Sequence, residues 1–582
     1  MKLYIIIITF FKIEKFLFWK GEEMKKIVAV FFILKSFIFA SREGIIRETI
    51  NRNQEINREE RRRKEESIEK FEREGSFDEK YPENIIDDNV GDNGSEIKEI
   101  YIYGNTILTK RSIDKLKNRY LGKKGGKNVL NFVKELENLY LEKGYIATRV
   151  KIDMESSDFK MGKVICVIIE GHIEEIKIGG ESSKVRVFTS FPTRKGDILN
   201  MKDLDQGIEN LNSVSANNAK LDIAAGKSLG GSIIKVKNEK SKKISGSINY
   251  NNLGQKSTGT ERMKVAVTIE DFLGINDSLS SSYQRKLGRE RKYKDAENFS
   301  FYYRVPFKYW DFSIIKDQSE YTTPIKSIGY DYKSSGISKN MNYSIRRILQ
   351  RNDTGKTSVG ITLTNKESKN YIDDTMLVMS SRKLSVLKVD IGHQRRVFNG
   401  MFSGEIAYHE GLKRFGAERD DWEYKDSTSP KAQFQKYTMD LNWYKPFRIG
   451  EQNFSYKFSF SGQYSDDILY SSEKMSIGDD TTVRGFKENS IMGDKGIYIR
   501  NEIAYSYKFI EPFIAYDTGR VKDVTKDDYY KKYGSEMSGA AIGIRIYFQH
   551  FTASITYSKP VNAPEYVNKN KQEVYITLSC MF

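Results

Sequence analysis

One stretch of this 582-residue chain gathers charged side chains and glycines in a pattern able to fasten two surfaces together. It runs from Ile477 to Glu502 and reads IGDDTTVRGFKENSIMGDKGIYIRNE. At its centre Val483, Arg484, Gly485 and Phe486 place a guanidinium in a glycine-containing turn between apolar residues. Arg500 and Glu502 follow at alternating spacing, and Asp517 and Gly519 lie in the next apolar stretch, PFIAYDTGRV. The chemistry open to this set is ion pairing. A guanidinium fork takes a carboxylate in two-point contact, whereas a lysine offers only a point charge. An arginine drawn away from water needs such a partner, because an unpaired desolvated charge is costly. Asp517, in the alternation Phe513, Ala515, Asp517, is the candidate partner of Arg484. Glu502 is the other acid available to Arg484, and pairing with Arg500 is its alternative.

No set of residues points to catalysis. The four histidines, His172, His393, His409 and His550, have no metal-ligand spacing, and Cys166 and Cys580 lie far apart in unrelated segments. A nucleophile elbow, a phosphate-binding glycine loop and a zinc signature are all missing. We therefore assign no catalytic, cofactor or metal site, and expect a protein that is not an enzyme.

The elements that would position Arg484 and Asp517 are strands. From Ile244 onward, short alternating segments are parted by polar turns. Met263, Val265, Val267 and Ile269 alternate with Lys264, Ala266, Thr268 and Glu270, and Ile542, Ile544, Ile546 and Phe548 alternate with Gly543, Arg545 and Tyr547. A period of two with one polar face fits a membrane barrel, apolar outside and polar within, and also fits a soluble sandwich. Hydrophobic residues are only 38% of the chain, yet it holds 36 Tyr and 33 Phe, which suits apolar side chains confined to one face of many strands. After residue 40 no run approaches the ~18 apolar residues of a membrane helix. A bilayer would have to be crossed as a barrel. Val574, Ile576, Leu578, Cys580 and Phe582 share one face of the last strand.

Two smaller units precede this region. In residues 96–171 an apolar strand (Ile97, Ile100, Ile102) leads into helical stripes at Ile113, Leu116, Tyr120 and at Val129, Phe132, Leu136, Tyr140, followed by two strands. The same β-α-α-β-β order recurs in residues 172–243, an internal repeat. Further upstream, Met24-Lys25-Lys26, an apolar run and Ala40-Ser41 read as a signal peptide with its cleavage site, so residues 1–40 are an upstream extension and export signal with the reading start at Met24. Residues 42–74 alternate acids and bases; they read as a solvated helix or as a disordered charged spacer. Residues 75–95 are a linker. The formal charge of +17 is spread over interleaved acids and bases with no nucleic-acid motif, so no nucleic-acid partner is expected.

These residues carry a family resemblance. The β-α-α-β-β units resemble polypeptide-transport-associated (POTRA) domains. The ordered series Val483–Phe486, Gly493–Gly496, Arg500–Glu502 and Asp517-x-Gly519, with Leu253-Gly254 and Phe272–Asp277 earlier, resembles the two-partner secretion transporters of the ShlB/FhaC/HecB type, over residues 41–582. The resemblance implies a plug helix within 41–95, POTRA domains at 96–171 and 172–243, and a 16-stranded transmembrane β-barrel at 244–582 in the outer membrane. Our own strand reading gives 16 or 17, with Ile325–Ser334 assigned to the hairpin between the fifth and sixth. It further implies a large unfolded exoprotein of adhesin or haemolysin type as partner, carrying an N-terminal secretion domain and met by periplasmic POTRA domains. The lipid bilayer and the outer-membrane assembly machinery are the other partners, the latter reading the terminal aromatic strand. Arg484 and Asp517 would form a lock in the lumen, with Val483, Gly485, Phe486 and Gly519 shaping the loop and Arg500 and Glu502 as lumen charges. Ala515 departs from the aromatic that related barrels often carry there. An assembly insertase of the same superfamily is the alternative, disfavoured because insertases usually carry more than two POTRA domains. A passive porin or surface adhesin would lack both the POTRA pair and the Val483–Phe486 loop.

Overall fold

The computed structural model describes residues 94–582 apart from 180–183, 289–293, 327–330, 353 and 422–425, together with Arg58, Arg61 and Arg62. The expected signal peptide, and the charged segment other than these three arginines, lie outside the described residues. The first unit runs β1 (Glu99–Tyr103), α1 (Lys110–Tyr120), α2 (Gly126–Leu141), β2 (Arg149–Ile152) and β3 (Lys163–Ile169). Thr109 caps α1 by accepting from the Ser112 amide. Both helices turn Leu116, Tyr120, Phe132, Leu136 and Tyr140 onto a sheet in which β3 lies between β1 and β2. Cys166 is buried there, and burial pushes its thiol up to about 11.

The second unit repeats the plan: β4 (His172–Ile178), α3 (Lys184–Ser190), α4 (Met201–Leu211), β5 (Asn217–Ala225) and β6 (Gly231–Lys240). Its central strand is β6, parallel to β4 and antiparallel to β5. Phe191 fits tightly against Gly207 of α4, where a Cβ would stand 2.0 Å from the ring.

Antiparallel hairpins then close into a barrel. Its first half comprises β7 (Ile244–Asn251), β8 (Arg262–Glu270), β9 (Ser278–Lys286), β10 (Asp295–Phe307), β11 (Trp310–Ile325), β12 (Tyr332–Asn352), β13 (Gly355–Ile372) and, after the two-residue β14 (Thr375–Met376), β15 (Arg382–Val397). The second comprises β16 (Gly400–Gly411), β17 (Gln435–Ile449), β18 (Gln452–Tyr464), β21 (Lys495–Ser506), β22 (Ile510–Lys522), β23 (Glu536–Phe548), β24 (Phe551–Asn562) and β25 (Glu573–Met581). Between β18 and β21 a small hairpin, β19 (Met475–Ile477) with β20 (Ile491–Gly493), forms its own sheet. Sixteen strands span, and β14 merely extends a turn; the connection from Ile325 to Tyr332 joins the fifth and sixth strands. The barrel closes where β25 pairs with β7, from Thr577 opposite Asn251 to Met581 opposite Ser247.

Period-two patterning sets the faces. Met263, Val265 and Val267 are exposed on the outer surface, as are Ile542, Ile555 and Tyr557. Phe582 pairs by backbone with Gly246, its amide donating to the Gly246 carbonyl at 2.9 Å.

The second small unit is clamped to one end of the barrel, here called the proximal end. Arg186 pairs with Asp271 at 2.6 Å, and Asn276 donates to the Ser190 hydroxyl at 2.8 Å. The Lys308 amide donates to the Thr189 carbonyl at 2.8 Å, and Asn210 donates to the Lys308 carbonyl at 2.8 Å. Glu209 of α4 lies between Arg351 and Lys356. Burial pushes the Glu209 carboxyl up, but Lys356 and Arg351 outweigh it and hold it down at about 2. Below α4 a cavity of about 370 Å³, lined by the charged Glu209, Arg304, Arg346 and Glu405 together with Tyr309 and Trp310 among others, opens at the proximal mouth.

Candidate functional site

Residues 465–494 leave β18 at the distal end and return into the barrel. Two hydrophobic contacts fold this loop inward: the β19–β20 hairpin brings Ile477 and Ile491 against Val521 of β22 and Met537 of β23, and the tip adds buried Val483 and Phe486 to the same cluster. Gly519 leaves the room, since a Cβ there would stand 3.2 Å from Ile477 Cδ1 and 3.0 Å from Tyr498 Cβ. Gly485 turns the tip at φ +103°, with the β24 backbone 3.0 Å from where its Cβ would be. An L side chain meets both strain and collision there.

That turn aims Arg484 at the wall. Its Nε lies 2.6 Å and its Nη2 2.8 Å from the two oxygens of Asp517, and its backbone amide donates to the same carboxylate at 3.2 Å. Nη1 donates to Glu502 at 3.0 Å. Arg484 is 5% exposed and Asp517 0%, so water is no competitor. The Glu502 carboxylate is shared with Arg545 at 2.6 Å, and Arg545 continues to Glu511 at 2.8 Å while its guanidinium lies 4.1 Å over the Phe513 ring. Arg500 points to the loop instead, donating to the carbonyls of Thr481 at 2.9 Å and Asp480 at 3.1 Å. Arg484, Arg500 and Arg545 thus face Asp517, Glu502 and Glu511, with Lys457 of β18 opposite Glu502.

The structure brings Arg484, Asp517 and Glu502 together. It does not pair Glu502 with Arg500: both face inward, but Arg500 reaches up to the loop and Glu502 is taken by Arg484 and Arg545. At Ala515, small residues pack together, Ala504, Ala515 and Ala541, with Phe513 filling the space beside them.

Sequence reasoning missed a second set. Arg58, Arg61 and Arg62 are helical and sit on the inner loop. Arg58 pairs with Asp479 at 3.1 Å and donates to the Lys487 carbonyl at 3.2 Å and the Ser490 hydroxyl at 2.5 Å. Arg61 reaches Asp479 at 2.6 Å, and Arg62 takes both oxygens of Asp480 at 2.9 and 3.0 Å. The adjacent acids Asp479-Asp480 ahead of Val483, set against an arginine run upstream, were the available signal.

Comparison with known proteins places this geometry. The model for haemolysin secretion/activation protein ShlB/FhaC/HecB matches residues 230–546, more than half the chain; a ShlB-type POTRA model matches 95–171 and another POTRA model 172–225. The outer membrane transporter CdiB of Dickeya dadantii is 28% identical over 480 residues, 81% of this chain and 84% of that protein. The hemolysin transporter protein HpmB of Proteus mirabilis is 28% identical over 82% of this chain and 83% of its own. The solved structure of CdiB from Escherichia coli superposes with a TM-score of 0.81 at 24% identity, covering 92% of this chain and 98% of that one. These relatives are transporters, not enzymes. With POTRA domains in the periplasm and a barrel in the outer membrane, the chain belongs to the ShlB/FhaC/HecB family of two-partner secretion transporters, which work with large exoproteins.

Proposed function

We propose that this chain carries one exoprotein, of adhesin or haemolysin type with an N-terminal secretion domain, from the periplasm through its own barrel to the cell surface. The division of labour is residues 1–40 for export, 41–95 for the plug helix and linker, 96–171 and 172–243 for client capture, and 244–582 for the pore. An unfolded client suits capture by strand addition, because backbone hydrogen bonds tolerate varied side chains. The edge strands of the two small sheets, β1 and β2 in one and β4 and β5 in the other, offer the template, the start of β4 being already bonded to residues 196–199. Beyond them, the cavity under α4 offers charged, amide and aromatic side chains to an extended chain entering the lumen. The outer-membrane assembly machinery reads the last strand and inserts the barrel.

The observation that carries this reading is the coupling of two occupants in one lumen: the helical arginines hold Asp479 and Asp480 of the loop whose tip carries Arg484. A pore closed by a polar helix bound through polar contacts is closed reversibly, as a passage for a polypeptide must be. The test is to delete residues 42–74 and record currents in planar bilayers beside secretion in cells. Resting conductance rises and secretion continues; unchanged conductance overturns the plug, and loss of secretion with an intact barrel overturns its role as a removable stopper.

A further inference from the structure

The inner loop is held at a second place, close to where it leaves β18. Glu473 is buried there, and its carboxylate takes a hydrogen bond from each of two lysines on the wall, Lys366 of β13 at 2.8 Å and Lys436 of β17 at 2.8 Å. Its backbone carbonyl also accepts from Lys436 at 3.1 Å and from Gln463 at 3.0 Å. Two apolar contacts flank it. Leu469 packs with Val386 and Phe434, and Tyr470 packs with Leu384 and Ala432 under the Arg382 guanidinium, 4.1 Å above the ring. The next residue, Lys474, pairs with Asp523 at 2.7 Å and Asp494 at 3.4 Å, so the two ends of the loop are drawn together. Since β13 and β18 are separated by three strands, β15, β16 and β17, this segment crosses a sector of the distal mouth.

We propose that Glu473 is a positioning residue, the fixed anchor of the loop, and that residues 468–474 stay seated on β13, β15 and β17 while the pore opens. Lifting this segment would strand a carboxylate and two ammonium groups and expose Leu469 and Tyr470 in the same step. The contacts of Arg58, Arg61 and Arg62 with the loop are ion pairs and hydrogen bonds that water entering the lumen takes over on both sides, whereas lifting residues 468–474 also exposes Leu469 and Tyr470. The loop therefore stays anchored in the open pore, and the sector over β13 to β17 remains roofed. The proposal rests on reading the barrel lumen as the transport route, but its tests need no client.

Lys431 and Leu469 are backbone bridge partners, with the Lys431 amide donating to the Ile468 carbonyl at 2.8 Å. Such a pair lies within disulfide reach. Lys431→Cys with Leu469→Cys, in a full-length Cys580→Ser background that also carries Arg58→Ala and Arg61→Ala to favour openings, gives a tether that can be made and cut. The disulfide forms, and open-channel current in potassium chloride is the same before and after reduction. Failure of the disulfide to form, or a current that rises on reduction, overturns the anchor. Separately, Glu473→Gln raises resting conductance while the barrel keeps its heat-modifiable mobility; unchanged conductance overturns the role of Glu473 itself. Absence of secretion by the unsubstituted chain in cells that make its exoprotein would instead count against the transport reading.

Discussion

Arg58 and Arg484 grip the same short turn from two directions: Arg58 holds Asp479 at its descending limb, and five residues on Arg484 holds Asp517 of the wall. Between them Asp479 accepts from the Thr481 amide and from the hydroxyls of Thr481 and Thr482, which stiffens the limb. Six residues of ordered backbone, Asp479 to Arg484, thus join two grips that each have their own acid.

Arg484→Ala and Asp517→Ala should each impair secretion with little loss of assembled barrel. Arg484→Lys should be partly active, because an ammonium keeps the charge but loses the two-point contact. The double alanine variant should be no worse than the worse single, as for residues acting as a unit. Client in the medium, normalised to heat-modifiable barrel, is the measurement, and fully additive losses would show that the pair does not act together.

Arg58→Ala leaves Asp479 one partner short and removes the contacts to Lys487 and Ser490. Single-channel recordings should show more frequent opening, and Asp479→Asn should give the same phenotype. Secretion should persist in both, since they loosen the stopper without touching Arg484. Identical recordings for wild type and Arg58→Ala would count against the stopper.

Deleting residues 172–243 should abolish secretion while the barrel still inserts and migrates faster before boiling. Continued secretion at normal levels would mean that the client is captured elsewhere.

The clamp at α4 carries a pH dependence. The Glu209 carboxyl is held at about 2 against an unfolded value near 4.5. A depressed carboxylate contributes stability that is fully present above its unfolded value and lost as the pH falls through the folded one. Amide exchange over 201–211, corrected for intrinsic rates, should therefore be flat from pH 7 to about 5 and rise only in the window from about 4.5 to 2. In Glu209→Gln it should already be elevated at pH 7. Equal protection in both proteins at pH 7 would remove Glu209 from the clamp.

Much of the architecture was legible because strand alternation is a local property: Met263, Val265 and Val267 declare their face without knowledge of their neighbours. The Arg484–Asp517 pair was legible because a lone guanidinium among apolar residues demands an acid and the alternation of Phe513, Ala515 and Asp517 offered one. For Glu502 half was: the sequence offers Arg484 as an available partner and does not single out Arg545. Alternation puts Arg500 and Glu502 on one face, but residues two apart along a strand are separated by roughly 7 Å. Glu502 instead finds Arg545, two strands away, and this depends on barrel tilt and stagger. Glu473 was further out of reach. Its partners Lys366 and Lys436 lie 107 and 37 residues away, on strands whose proximity exists only once the barrel has closed. The three helical arginines looked like any solvated charge run until Asp479 and Asp480 were brought opposite them.

Burial of the Arg484–Asp517 contact has one more consequence. Counterions gather around exposed charges and blunt their attraction within a Debye length, about 8 Å at physiological ionic strength, but they hardly reach a pair sealed from solvent. At 5% and 0% exposure these two side chains sit outside that atmosphere. The wall contact of the loop should therefore hold its strength from dilute buffer to brine, so that the seal it provides is indifferent to the salinity of the medium outside the cell.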